Sequence, residues 1–122
     1  MSIRQGSDET LIAAIHAAPK ALVFLSVPWS CPERIARQYF VDAAAQLSEL
    51  SLGVECFLID EEAEACRTWL SALNLPQVGK YPLGAGSLLW LEDGRIVTFK
   101  VSGQIPAGEI ITRCKQLWAS GS

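Results

Sequence analysis

From Leu11 onward, the apolar residues of this chain alternate between stripes with helical spacing and short continuous runs. Leu11, Ile12 and Ile15 form the first stripe, after the helix-start group Ser7, Asp8 and Glu9 and before Pro19, which predicts a first helix. Residues 21–27 are nearly all apolar, the pattern of a short strand covered on both faces at a sheet centre. Pro32 suits the first turn of a second helix, over about 32–50. Glu33 there complements the positive helix end. Ile35, Tyr39, Ala43, Leu47 and Leu50 give this helix its expected buried stripe. Residues 53–60 read as another buried strand, with Val54, Cys56 and Leu58 on one side and Phe57 and Ile59 on the other.

The acids Asp60, Glu61, Glu62 and Glu64 favour a third helix start, whose stripe is Cys66, Trp69, Leu70 and Leu73 and whose end falls near Asn74. Residues 87–91 and 95–101, joined through Glu92, Asp93 and Gly94, are predicted to form a hairpin, because Asp-Gly is a strong turn signal. Pro106 opens a last helix carrying Ile110, Ile111, Cys114, Leu117 and Trp118 inward. The order is helix, strand, helix, strand, helix, hairpin, helix. A strand-helix-strand unit followed by a hairpin implies an α/β fold with a mixed sheet.

Composition narrows the class. At 122 residues, half of them hydrophobic and 19% charged, the chain is expected to fold as one domain over 1–122. No apolar run approaches the roughly 20 residues of a membrane span, so no membrane partner is expected. The polar start, Met1 to Thr10, lacks the apolar centre of a secretory signal, and a cytoplasmic location is expected. A formal charge of -3 with scattered basic residues offers no footprint for nucleic acid. Cys31, Cys56, Cys66 and Cys114 are too far apart for a zinc knuckle and are expected to be reduced thiols, Cys56 and Cys114 within the core. His16 is the sole histidine, which leaves little material for a metal cluster or a serine-based triad, and no metal is expected.

The segment Trp29-Ser30-Cys31-Pro32-Glu33-Arg34 resembles the active-site turn of the thioredoxin family, Trp-Cys-Gly-Pro-Cys-Lys. Ser30 and Glu33 fall on the two cysteines, and Cys31 on the glycine. The resemblance extends from Ala21 to Trp118 through Ile59-Asp60 at a strand end, Leu89-Trp90-Leu91-Glu92-Asp93-Gly94 at the hairpin, and Gly103 to Ile110 before the last helix. It implies a thioredoxin-like three-layer α/β/α fold with a mixed four- to five-stranded central sheet. It also implies a degenerate site. Dithiol exchange needs one thiolate to attack and a second thiol to release the mixed disulfide, and neither family position holds sulfur. The family's buried carboxylate falls on Phe24, so its proton acceptor is missing. Counting back from Asp93-Gly94, the family's cis-proline falls on Gly86, with Pro82, after Tyr81, as the alternative if a bulge shifts the strand. The stretch between Asp60 and Ser87 exceeds the usual family spacing, and its glycines suggest an adaptable loop.

Three functions follow from these residues. The first is a non-catalytic module that binds a protein or peptide through Trp29, Ser30, Pro32, Arg34, Tyr81, Pro82 and Gly86, as thioredoxin-like assembly chaperones without the dithiol do. It needs no cofactor. The second is a monothiol enzyme: one inserted residue would align Cys31-Pro32-Glu33-Arg34 with the Cys-Pro-x-Cys of glutaredoxin-like relatives, making Cys31 a nucleophile that exchanges with glutathione. Glu33 opposes thiolate formation there. The third is a structural homodimer pairing the strand at 95–101 with its copy, against which Arg95, Thr98 and Lys100 are expected on the exposed face.

Overall fold

The continuous apolar run of the sequence becomes the centre of the sheet. A computed structural model describes residues 3–27, 31–60, 62–73, 86–100 and 105–118, with Cys31 and Pro32 described by backbone alone. In it β1 (Ile3–Gly6), β2 (Lys20–Ser26), β3 (Glu55–Asp60), β4 (Ser87–Glu92) and β5 (Arg95–Lys100) form one sheet in the order β1-β3-β2-β4-β5. β2 pairs in parallel with β3 and antiparallel with β4. Every residue from Ala21 to Val27 is buried, as a strand with neighbours on both edges and helices on both faces must be.

Alternation along β2 splits the core into two layers. Ala21, Val23 and Leu25 face α1 (Glu9–Ala17) and α3 (Glu64–Ala72), meeting Leu11, Ile15, Cys66, Trp69 and Leu70. Leu22 and Phe24 face α2 (Cys31–Leu50) and α4 (Ala107–Trp118), meeting Phe40, Ala43, Leu47, Trp90, Ile110 and Cys114. The fold is therefore an α/β/α sandwich over a five-stranded mixed sheet. Asp8 caps α1 by accepting from the Thr10 and Leu11 amides. Asp93 and Gly94, with φ of 52° and 80°, make the two-residue hairpin turn that the Asp-Gly pair predicts. Among the described residues no helix is long and apolar enough to cross a membrane.

Three expectations are corrected. The polar amino terminus contains β1, an edge strand parallel to β3. Its register comes from backbone pairing and only Ile3 packs toward the core, so it leaves almost no hydrophobic pattern. Second, the buried stripe of α2 is Glu33, Ala36, Phe40, Ala43, Ala44 and Leu47, while Ile35 is 53% exposed and Leu50 39% exposed. Third, Thr98 and Lys100 are half-buried rather than exposed. The register slips between Trp90 and Leu91, pairing them with Thr98 and Ile96, so Val97 is an extra residue that turns the following side chains over. Thr98 then accepts a hydrogen bond from Arg113 Nη1 at 3.2 Å.

Candidate functional site

The even-numbered row of β2 that faces α2, Leu22 and Phe24, continues to Ser26, a polar residue 1% exposed at the strand end. α2 begins four residues after Val27 and turns Glu33 onto that same position. Glu33 is fully buried. Its Oε2 accepts from Ser26 Oγ at 2.6 Å and from the Val27 amide at 2.9 Å. Arg37, one helical turn on, donates through Nη2 to Glu33 Oε2 at 2.9 Å and to Ser26 Oγ at 2.8 Å. The cluster stitches the end of β2 to the start of α2. Among the described residues, two of its buried atoms, Glu33 Oε1 and Arg37 Nε, have no hydrogen-bond partner.

Glu33 thus does more than complement the helix dipole. The sequence carries two signals for it: the Glu33-to-Arg37 spacing of four, acid first, is the favourable ion-pair order on a helix. The small residues Ala36, Ala43 and Ala44 give an alternative inward stripe that includes position 33. Turning Glu33 inward sends Ile35, about 200° round the helix, to the surface.

Beneath the cluster the site is apolar. Phe24 stacks on Phe40, ring centroids 5.3 Å apart and planes 19° from parallel. An aromatic pair offers no proton acceptor. Gly86, just before β4, has φ of 77°, and a Cβ built on it would lie 2.6 Å from Phe24 Cζ and 3.1 Å from the Leu25 carbonyl oxygen. Neither the dihedral nor the space admits proline at this position. Among the described residues there is no cis peptide bond.

The remaining named residues separate clearly. Arg34 is exposed on the first turn of α2, beside the buried cluster. Cys31 and Pro32 open the helix. Trp29, Ser30, Tyr81, Pro82 and the loop around them lie outside the described residues. Cys56, Cys66 and Cys114 are buried in the core, as their positions on the predicted strand and stripes require. Burial, with Cys114 close by, pushes the Cys56 thiol up to about 12. Burial likewise takes Cys114 to about 11, against the opposing hydrogen bond from Trp90 Nε1 at 3.4 Å. Neither sulfur supplies a thiolate at neutral pH.

The backbone arrangement is similar to that of several solved structures. The zinc-bound form of human ERp44 matches over 94% of this chain with a TM-score of 0.71 and 17% identity, this chain spanning 31% of that one. Thioredoxin O2 from Arabidopsis thaliana, in its oxidized state, matches over 96% of this chain and 95% of its own, with a TM-score of 0.68 and 13% identity. The fold is thioredoxin-like. A mutant thioredoxin from Halobacterium salinarum agrees, with a TM-score of 0.67 and 16% identity over 94% of this chain and 89% of that one. No protein-family model and no curated protein sequence matches. In this thioredoxin-like frame Glu33 lies at the strand-to-helix turn, and identities this low carry the fold alone.

Proposed function

We propose that this thioredoxin-like chain is a binding module for a protein or peptide, working without dithiol exchange through the turn at 29–34, Tyr81, Pro82 and Gly86. The supporting observation is the burial of Glu33 in an ionic cluster with Arg37 and Ser26. A residue that closes the core with a carboxylate and an arginine is committed to holding the turn, and it brings no sulfur for thiol exchange. The aromatic floor of Phe24 and Phe40 adds no base beneath that cluster. Trp29, Tyr81 and the exposed Ile35 would supply apolar contact, and Arg34 a charged rim. The cytoplasm is the proposed compartment.

A second reading rests on another observation. Cys31 is the first residue of α2, where a helix end lowers a thiol pKa. As a monothiol enzyme the chain would use Cys31 and glutathione. The rate of Cys31 alkylation between about pH 5 and 9, against Cys31→Ser, separates the two. The binding module shows an ordinary thiol titrating near about 8.5 and no insulin reduction. A Cys31 titrating well below that value overturns it in favour of the enzyme. Loss of a captured partner on Trp29→Ala or Tyr81→Ala completes the case, and unchanged capture by both removes the platform.

A further inference from the structure

We propose that the α4 side of β5 is a second recognition surface, which takes an acidic peptide in extended form on Arg95, Lys100 and Arg113. It is built from other elements than the turn at 29–34, and it stands whether or not that turn binds a partner.

The bulge at Val97 assembles the surface. On β4, Trp90 and Glu92 face α4: Trp90 Nε1 donates to Cys114 Sγ at 3.4 Å, and Glu92 Oε1 accepts from Trp118 Nε1 at 2.9 Å. Arg95, Thr98 and Lys100 stand in register with Glu92, Trp90 and Leu88, so all three belong to that face. Unbroken alternation from Arg95 would have put Val97 and Phe99 there, with Thr98 and Lys100 on the opposite face. The extra residue reverses the order. Phe99 packs into the layer of α1 and α3, while Thr98 and Lys100 turn toward α4. Arg113 meets them from the helix: its Nη1 donates to Thr98 Oγ1 at 3.2 Å, and its guanidinium lies over the Trp90 ring, 5.3 Å from the centroid.

The three cations of this face lack counter-charges. Among the described residues the ion pairs are Arg4–Glu55 and Arg37–Glu33, and neither touches it. Glu109, one turn before Arg113 on α4, is exposed and makes no ion pair with it. Glu92, opposite Arg95, is engaged by Trp118. Arg113 Nε is buried and, among the described residues, has no hydrogen-bond partner. A guanidinium placed over an indole and short of acceptors suits a carboxylate, which it can hold through two parallel N–H groups. The spacing selects the form of the ligand. Thr98 and Lys100 lie about 6.6 Å apart along the strand, with Arg95 further on, so the charges are spread too widely for one small anion. Every second side chain of an extended peptide repeats at that same distance. Among the described residues β5 pairs only with β4, which leaves its outer edge open to such a segment.

The test titrates the protein with a capped peptide of alternating Glu and Val, with its Gln counterpart, with glutarate and with inorganic phosphate, following the Arg113 Nε–H and Trp90 Nε1–H signals by NMR. The Glu peptide is expected to shift both signals saturably, with an affinity that falls as salt rises. The other three should shift them far less at equal concentration. Arg113→Met, which keeps an apolar chain over Trp90, should weaken binding about tenfold, and Lys100→Gln about threefold. No shift with the Glu peptide, or an equal response to the Gln peptide, overturns the inference. A response to glutarate or phosphate as strong as that to the Glu peptide also overturns it, since the face would then be a small-anion site. Should Arg113→Met not fold, Lys100→Gln must still weaken binding, and unchanged affinity there removes the extended mode. No residue of 29–34 is altered or probed, so failure here is distinct from a failure of the binding reading of the turn.

Discussion

The two ends of β2 close the same sheet by different means. At the Lys20 end, the closure uses backbone, neutral groups and charges that stay in solvent reach: the Asp93 amide donates to the Pro19 carbonyl at 3.0 Å, Lys20 Nζ to the Leu52 carbonyl, Trp90 Nε1 to Cys114, and Trp118 Nε1 to the exposed Glu92 carboxylate. At the Ser26 end, a buried carboxylate and a half-exposed arginine do it. Backbone bonds and buried thiols cost little to keep in a core. A buried carboxylate is costly unless paired and hydrogen-bonded. The costly device sits beside the turn that bears Cys31 and Arg34, the end that the binding proposal makes the working one, with the other as scaffold.

The glycines at the two ends offer the sharpest way to break this contrast. Gly86 combines a φ of 77° with a phantom Cβ 2.6 Å from the ring of Phe24, which is fully buried and stacked on Phe40. The ring is held by its burial and by its stacking on Phe40. Gly86→Ala is expected to cost about 3 kcal/mol, the sum of a strained dihedral and an overpacked contact, measured by denaturant unfolding. A loss below about 1 kcal/mol would show that the Ser26 end tolerates movement, contrary to the tight fit.

The thiols of the scaffold end give the next effect. Cys56 lies in register with Leu22, which pairs with Trp90, the donor to Cys114. Both thiols ionise above the ordinary value of 9.0, Cys56 at about 12 and Cys114 at about 11. The folded protein holds these protons after the unfolded chain has lost them. Their contribution is therefore complete below pH 9.0 and drains away as pH rises, to about 11 for Cys114 and to about 12 for Cys56. The expected slope is up to about 1.4 kcal/mol per pH unit for each thiol. Cys56→Ala and Cys114→Ala should each flatten the alkaline limb of stability against pH. An unchanged slope in both would mean that the thiols are solvated in the folded state.

Legibility followed the same division. The scaffold was readable because each of its parts has a local signature: Asp93-Gly94 between strands, Cys114 and Trp118 on a helical stripe. The sequence offered the candidate site only as a resemblance, with Ser30 and Glu33 on the family's cysteine positions, and its central contact was not readable. Ile35 carried the hydrophobic weight that periodicity counts, and a glutamate on an inward stripe looks like a solvated residue until Ser26 and Arg37 are brought to it by the fold. β1 escaped for a related reason, since an exposed edge strand is held by backbone pairing that side chains do not record. The bulge at Val97 was invisible because β5 alternates evenly on either side of it.

The smallest effect tests whether the Lys20 end is as forgiving as a scaffold should be. Gly94 has φ of 80°, and its phantom Cβ lies 2.9 Å from His16 Nδ1 and 3.2 Å from the His16 carbonyl oxygen. The His16 ring is exposed, resting edge-on to Trp69 at 6.1 Å, and can swing aside. Gly94→Ala is therefore expected to cost about 1 kcal/mol, chiefly for the dihedral. Repeating the substitution in a His16→Ala background removes the ring and keeps the backbone oxygen. A double-mutant cycle should find little coupling, under about 0.5 kcal/mol, because the ring yields freely. Strong coupling, or a loss equal to that of Gly86→Ala, would make the two ends equally rigid and leave the charge of Glu33 as their one difference.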